Sequence, residues 1–237
     1  MMPKVALVTG SARRIGAEIV RFLHANGYKV VIHYRNSLAD AEMLVGSLNA
    51  KLADSAKLVC SSLNSETAAQ DLIQQSIHAW GRLDVIVNNA SVFSCNTKDY
   101  NQMLLLNVQI PCWLSYHAIT ELKKNHGNII NITDTHATRP LANYALYCQT
   151  KAALRMQTKA LAKEFAPKVR VNAVAPGAII WPEADNALND GKKHTIIANT
   201  PLQKHGEPLH IAKAVFALLD NDFITGQELV VDGGRNI

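Results

Sequence analysis

Short, nearly unbroken apolar runs alternate along this chain with longer segments whose apolar residues recur every three or four positions. The runs Lys4–Val8, Lys29–His33, Lys57–Cys60, Leu83–Val87, Asn128–Ile132, Val169–Val174 and Glu228–Val231 are predicted strands. Consecutive rather than alternating apolar residues are the mark of parallel strands covered on both faces. Between them, Arg14–Asn26 sets Ile15, Ile19, Phe22 and Leu23 on one helical face, and Ala39–Leu52 and Thr67–Trp80 behave alike. Gln102–Lys124 and Tyr144–Phe165 read as two long helices. This alternation predicts an α/β fold: a doubly wound parallel sheet of about seven strands with helices on both faces, a three-layer sandwich. The whole chain, 1–237, reads as one domain. The stretch from Pro176 to about Leu202, rich in Pro, Asn, Asp and Gly, lacks periodicity and is expected to be a substrate loop over 177–202.

Composition narrows the class. With 237 residues and 48% hydrophobic content, the chain can bury a sizeable core, and its 18% charged content excludes disorder. No apolar stretch reaches the roughly 20 residues of a membrane span. The N-terminal apolar segment is too brief for a signal peptide, so a cytoplasmic, membrane-free location is expected. Lys and Arg exceed Asp and Glu by 24 to 19, but the basic residues are scattered, which argues against a nucleic-acid partner. Cys60, Cys95, Cys112 and Cys148 form neither a CxxC pair nor a zinc-spaced cluster, so no metal is expected and the thiols read as free.

Three segments carry chemistry. Thr9-Gly10-Ser11-Ala12-Arg13-Arg14-Ile15-Gly16 joins the first strand to the first helix, where a Rossmann-like fold lets backbone approach a dinucleotide pyrophosphate. Arg14 stands where the middle glycine of the usual triplet is expected. The second strand ends in Tyr34-Arg35-Asn36-Ser37 with no acid to bind a ribose 2′-hydroxyl; the nearest is Asp40. Arg35, Asn36 and Ser37 offer donors to a 2′-phosphate, with Arg13 as a second positive charge, so NADP(H) is expected over NAD(H). Tyr147 and Lys151 are four apart on a predicted helix and share a face. A nearby ammonium is expected to lower the phenol pKa and make Tyr147 a usable proton donor.

Taken with Asn88-Asn89-Ala90, Asn107, Pro176-Gly177 and Asp232-Gly233-Gly234 in the same order, these segments resemble the short-chain dehydrogenase/reductase family over essentially the whole chain. The resemblance implies that Tyr147 is the catalytic acid, that Lys151 holds the nicotinamide ribose, and that Asn107 supports a water relay. It puts Gly10, Ile15, Ser62, Leu63, Asn89, Ala90, Ser91, Pro176 and Gly177 along the cofactor. A homo-oligomer, a tetramer, is also implied by the resemblance alone.

One departure is informative. The family's usual serine lies thirteen residues before the tyrosine, and that position is Asp134. A carboxylate there would repel a developing alkoxide. It could hold a protonated or amino-bearing nitrogen heterocycle, or, if itself protonated, feed a proton through Tyr147. Asp134, Arg14 and the segment Asn89-Ala90-Ser91-Val92-Phe93 resemble the pteridine reductase branch, which includes dihydromonapterin and dihydrofolate reductases. On that resemblance Arg14, Ser91, Phe93, Asp134, Tyr144 and Tyr147 contact a pterin or folate, with Phe93 stacking on the ring. The substrate loop departs from that branch and carries Ile180-Trp181-Pro182, whose Trp181 is expected to cover the pocket or anchor its loop. The expected activity is NADPH-dependent reduction of a pterin C=N bond. The alternatives are a carbonyl or 3-oxoacyl reductase and, of another class, an NADP(H)-sensing module without turnover.

Overall fold

A computed structural model describes residues 2–181 and 187–237. Seven strands form one parallel sheet: β1 (Val5–Val8), β2 (Lys29–Tyr34), β3 (Ala56–Cys60), β4 (Val85–Asn88), β5 (Asn128–Ile132), β6 (Arg170–Pro176) and β7 (Glu228–Val231). Their order is β3-β2-β1-β4-β5-β6-β7. The apolar runs behave as their pattern requires, for every residue of β1, β4 and β5 is buried. Strand ends differ from the sequence reading by a residue or two; β4, for instance, begins at Val85 rather than Leu83.

Eight α-helices cover the sheet among the described residues. α1 (Arg14–Ala25), α2 (Leu38–Lys51) and α8 (Pro208–Asp220) close one face through Ile19, Leu23, Leu44, Leu48, Ile211 and Val215. α3 (Glu66–His78), α5 (Ile110–Asn125) and α6 (Ala145–Phe165) close the other through Leu72, Ile73, Leu114, Leu122, Leu161 and Phe165. The sequence-predicted helix Gln102–Lys124 is interrupted: α4 (Tyr100–Leu104) passes into a π-helical turn at Leu105–Gln109 before α5. Pattern reading missed this turn because inserting one residue barely changes the apolar spacing, and such turns favour functional positions. Asn107 sits in it. The expected loop 177–202 is not wholly irregular either, since α7 (Asp190–Ala198) lies within it, started by Asn189, whose side chain accepts from Lys192 N. Among the described residues, no helix is long and apolar enough to cross a membrane.

The order reverses at β1, which sends the chain outward to β2 and β3 before β4 pairs on its other side. Crevices at the carboxyl ends of such neighbouring strands are where doubly wound sheets bind ligands. Behind that crevice, a buried polar chain ties β4, β5 and α6: Asn88 Nδ2 donates to Asn131 Oδ1 (2.8 Å), and Asn131 Nδ2 donates to Thr158 Oγ1 (2.9 Å). Asn131→Ala leaves the Asn88 amide with no acceptor in a dry interior. We expect a loss of about 2 kcal/mol in denaturant unfolding; a loss below about 0.5 kcal/mol would mean that water replaces the bond.

Candidate active site

The β1–α1 turn and the β4 end are built as one unit. Thr9 Oγ1 accepts from the backbone N–H groups of Asn89 and Ala90 (both 3.0 Å), while Asn89 Nδ2 donates to the carbonyls of Thr9 (2.9 Å) and Gly10 (3.0 Å). Gly10 is left-handed at φ +60°, and a Cβ there would lie 3.1 Å from the Ala90 backbone. At Gly16 a Cβ would meet Asn89 Nδ2 and the Gly10 carbonyl at 2.6 Å. Both glycines are therefore required by close approach. Arg14, in the slot of the missing glycine, keeps a glycine-like backbone at φ +58°. Its Nη2 donates to the carbonyl of Trp181 (3.3 Å), drawing the distal loop toward the turn.

This unit walls a cleft of about 460 Å³. Thirteen of the residues expected along a cofactor line it: Gly10, Arg13, Arg14, Ile15, Tyr34, Arg35, Asn36, Ser37, Ser62, Leu63, Asn89, Ala90 and Ser91. The four others do not. Tyr147 belongs to the neighbouring aromatic cluster with Lys151 close to its ring, while Pro176 ends β6 and Gly177 follows it, packed on Asp232. The cleft fits a dinucleotide chemically. α1 starts with neither a side-chain cap nor an acid in its first turn, so its amides are left to an anion. Arg35 and Asn36 are exposed on the rim, and Asp40 faces Arg13 across 3.6 Å.

Sequence reasoning used His33 only as part of a strand-end pattern, yet it fastens the cleft. It is buried, its Nδ1 accepts from Gly10 N (2.9 Å), and its Nε2 donates to the Ser61 carbonyl (3.0 Å). Burial pushes its pKa down to about 4, so the ring is neutral near pH 7. The signal was an imidazole closing an otherwise apolar strand. Thr9 and Thr150 also went unread, because hydroxyls that bond neighbouring backbone have no spacing signature.

Beside the cleft stands the group around Tyr147. Its hydroxyl donates to Asp134 Oδ2 (2.7 Å), and Asp134 Oδ1 accepts from His136 N (2.8 Å), capping a short 3-10 turn at Thr135–Ala137. The expectation that Lys151 lowers the Tyr147 pKa is overturned. Burial first, then the Asp134 charge and hydrogen bond, push it well above its ordinary value. The ammonium is spent elsewhere: Lys151 Nζ donates to the Ile132 carbonyl (3.0 Å) and lies 5.8 Å from the Tyr147 ring centroid. Burial lowers Lys151 itself to about 8, against a smaller opposing pull from Asp134.

Asn107 is fully engaged. Its Oδ1 accepts from Ser91 Oγ (3.0 Å) and Val92 N (2.9 Å), and its Nδ2 donates to the Val92 carbonyl and Thr150 Oγ1 (both 3.0 Å). Its side chain thus fixes the Ser91–Val92 segment against α6. Phe93 stacks on Tyr144 (4.5 Å, 9°) and sets its edge to Tyr147 (4.8 Å, 89°). Those two rings therefore face each other, and a flat ligand would take another face of Phe93 or separate them. Trp181 stacks on His205 at 4.2 Å, anchoring its loop; Pro182 lies outside the described residues. The four cysteines are unpaired, and among the described residues no His/Cys/Asp/Glu group is arranged to hold a metal.

The family model described as enoyl-(acyl carrier protein) reductase matches residues 10–236. The 3-oxoacyl-acyl-carrier-protein reductase FabG of Staphylococcus epidermidis is 33% identical over 245 residues, covering 98% of this chain and 99% of that protein. FabG of Rickettsia prowazekii is 33% identical over 241 residues, covering 98% and 96%. A short-chain dehydrogenase/reductase from Serratia marcescens superimposes with TM-score 0.91 at 29% identity, covering 100% of this chain and 99% of that one. With these matches spanning almost its whole length, this chain belongs to the short-chain dehydrogenase/reductase family, as an oxidoreductase.

Proposed function

We propose that this reductase uses NADP(H) and reduces a ring C=N bond of a pterin, dihydropterin or dihydrofolate. The observation that carries the reading is the 2.7 Å hydrogen bond from Tyr147 to Asp134. It puts a carboxylate where a carbonyl reductase of this family is expected to offer a neutral hydroxyl. A carboxylate accepts from the N–H and amino donors of a nitrogen heterocycle and opposes the negative oxygen that a ketone develops. Phe93 and Tyr144 supply aromatic faces for such a ring.

The bound cofactor supplies the hydride. The chain's share is orientation and the proton. While Asp134 is charged, Tyr147 holds its proton firmly. A substrate cation on Asp134 offsets that charge, and Tyr147 then becomes the better acid for the ring nitrogen. Lys151 steadies the phenolate left behind, being part charged near pH 8. Arg35, Asn36 and Ser37 suit a 2′-phosphate, and no acid of β2 competes for that place. A homotetramer belongs to the same reading: Leu229 and Val230 are exposed on β7, an outer strand of the sheet.

Reduction of a carbonyl, 3-oxoacyl groups included, is the second reading. The names of the relatives favour it over the pterin reading, while it leaves Asp134 unexplained. The two separate in one assay, loss of the reduced cofactor's absorbance with dihydrobiopterin, dihydromonapterin, dihydrofolate and a panel of ketones and 3-oxoacyl thioesters. Turnover of pterins, abolished by Asp134→Ser, is the expected result. Turnover of ketones alone, preserved or improved by Asp134→Ser, would establish the second reading. In either case Tyr147→Phe should lower kcat by about 100-fold or more, and Arg35→Ala should raise KM for NADPH about 10-fold more than for NADH.

The proton-holding role of Asp134 is testable without substrate. An anion beside a phenol disfavours phenolate, so Asp134→Asn should move Tyr147 ionisation to lower pH. The measurement is phenolate difference absorbance against pH, with Tyr147→Phe subtracting the other tyrosines. An unchanged curve would leave burial as the sole cause of the raised value.

A further inference from the structure

His33 joins the ends of three strands at the cofactor cleft. Its side chain takes the Gly10 N–H that follows β1 and gives a proton to the Ser61 carbonyl that follows β3. Its own carbonyl accepts from Ser11 N (2.9 Å). The donors settle the tautomer, for a carbonyl can only accept, so Nε2 carries the proton and Nδ1 is the bare nitrogen that Gly10 needs. We infer that His33 is a positioning residue for the dinucleotide, setting through Gly10 the plane of the pyrophosphate turn and through Ser61 the opposite, Ser62–Leu63 wall. This rests on the dinucleotide reading of the cleft.

The physical case is one of alternatives. Gly10 is left-handed, with no side chain to restrain its peptide plane. The carbonyl side of Gly10 is tied by Asn89 Nδ2, and the N–H side by His33. Remove the His33 acceptor and the N–H must find another partner, by turning the plane or admitting water; either disturbs the neighbouring amides that face an anion. The Ser61 bond acts on a different wall, so the two nitrogens can be tested apart.

In Asn the side-chain oxygen reaches the place of Nδ1, and in Gln the side-chain nitrogen reaches the place of Nε2. His33→Asn therefore keeps the Gly10 bond and loses the Ser61 bond; His33→Gln does the reverse. The experiment measures the dissociation constants of NADPH and NADH by calorimetry for the parent chain and both variants, beside the melting temperature of each without cofactor. We expect His33→Gln to weaken both cofactors about 10-fold, because the turn serves the shared pyrophosphate, and His33→Asn to stay within about 3-fold. Melting temperatures of the two variants should lie within a few degrees of each other. Equal weakening in both, in step with lost melting temperature, would reduce His33 to a structural residue and overturn the inference, as would unchanged affinity in both. If the parent binds NADH but not NADPH, the NADP(H) reading fails and the same comparison on NADH decides the His33 inference. A parent that binds neither dinucleotide overturns both.

Discussion

The site depends on how closely two pieces of backbone approach at the carboxyl ends of β1 and β4. Neighbouring parallel strands lie about 4.8 Å apart, which leaves little room for side chains where both chains turn upward. The molecule meets this constraint by omitting side chains at Gly10 and Gly16 and by binding the polar groups so freed. Four hydrogen bonds join Thr9 and Gly10 to Asn89 and Ala90 across the junction. A Cβ at Gly16 would meet both the Asn89 amide and the Gly10 carbonyl, so helix, turn and strand cannot move independently. Arg14 accepts a left-handed backbone there, at a cost of about 1–2 kcal/mol. Its guanidinium then reaches the Trp181 carbonyl, so a strained residue at the turn also locates the distal loop.

Around Tyr147, two electrostatic effects compete. A cation nearby should favour phenolate; burial and an anion should oppose it. Distance decides. The Asp134 oxygen is in direct hydrogen-bond contact, while the Lys151 ammonium is turned to the Ile132 carbonyl and is itself weakened as a charge by burial. The resting site is consequently proton-retaining, and acidity at Tyr147 is something a ligand must release. On the proposed reading, that couples substrate choice to catalysis at one carboxylate.

The fold was largely legible because its strands are buried on both faces, and such burial writes itself as continuous apolar runs. The turn at Thr9–Gly16 was legible because close approach excludes all but glycine at particular places. What escaped reading has physical reasons as well. The π-helical turn at Leu105–Gln109 alters backbone bonding without altering residue type. His33 was hidden because one imidazole bonds two segments distant in sequence, Gly10 and Ser61. The Tyr147–Lys151 spacing correctly placed both residues on one face of α6, yet spacing carries no information about which partner each head group finds.

The two halves of the site differ in what holds them. The pyrophosphate turn is fixed by backbone bonds and by the buried ring of His33. On the proposed reading, the substrate side is lined by Phe93 stacked on Tyr144, a contact that a flat ligand could replace with one of like kind. Asn107 stands between them. It joins Ser91 and Val92, at the edge of the cleft, to Thr150, which in turn bonds the Tyr147 carbonyl (2.7 Å). The rigid half therefore reaches Tyr147 through one amide and one hydroxyl. On the proposed reading, such an arrangement holds Tyr147 in place and leaves substrate choice to the aromatic rings and to Asp134.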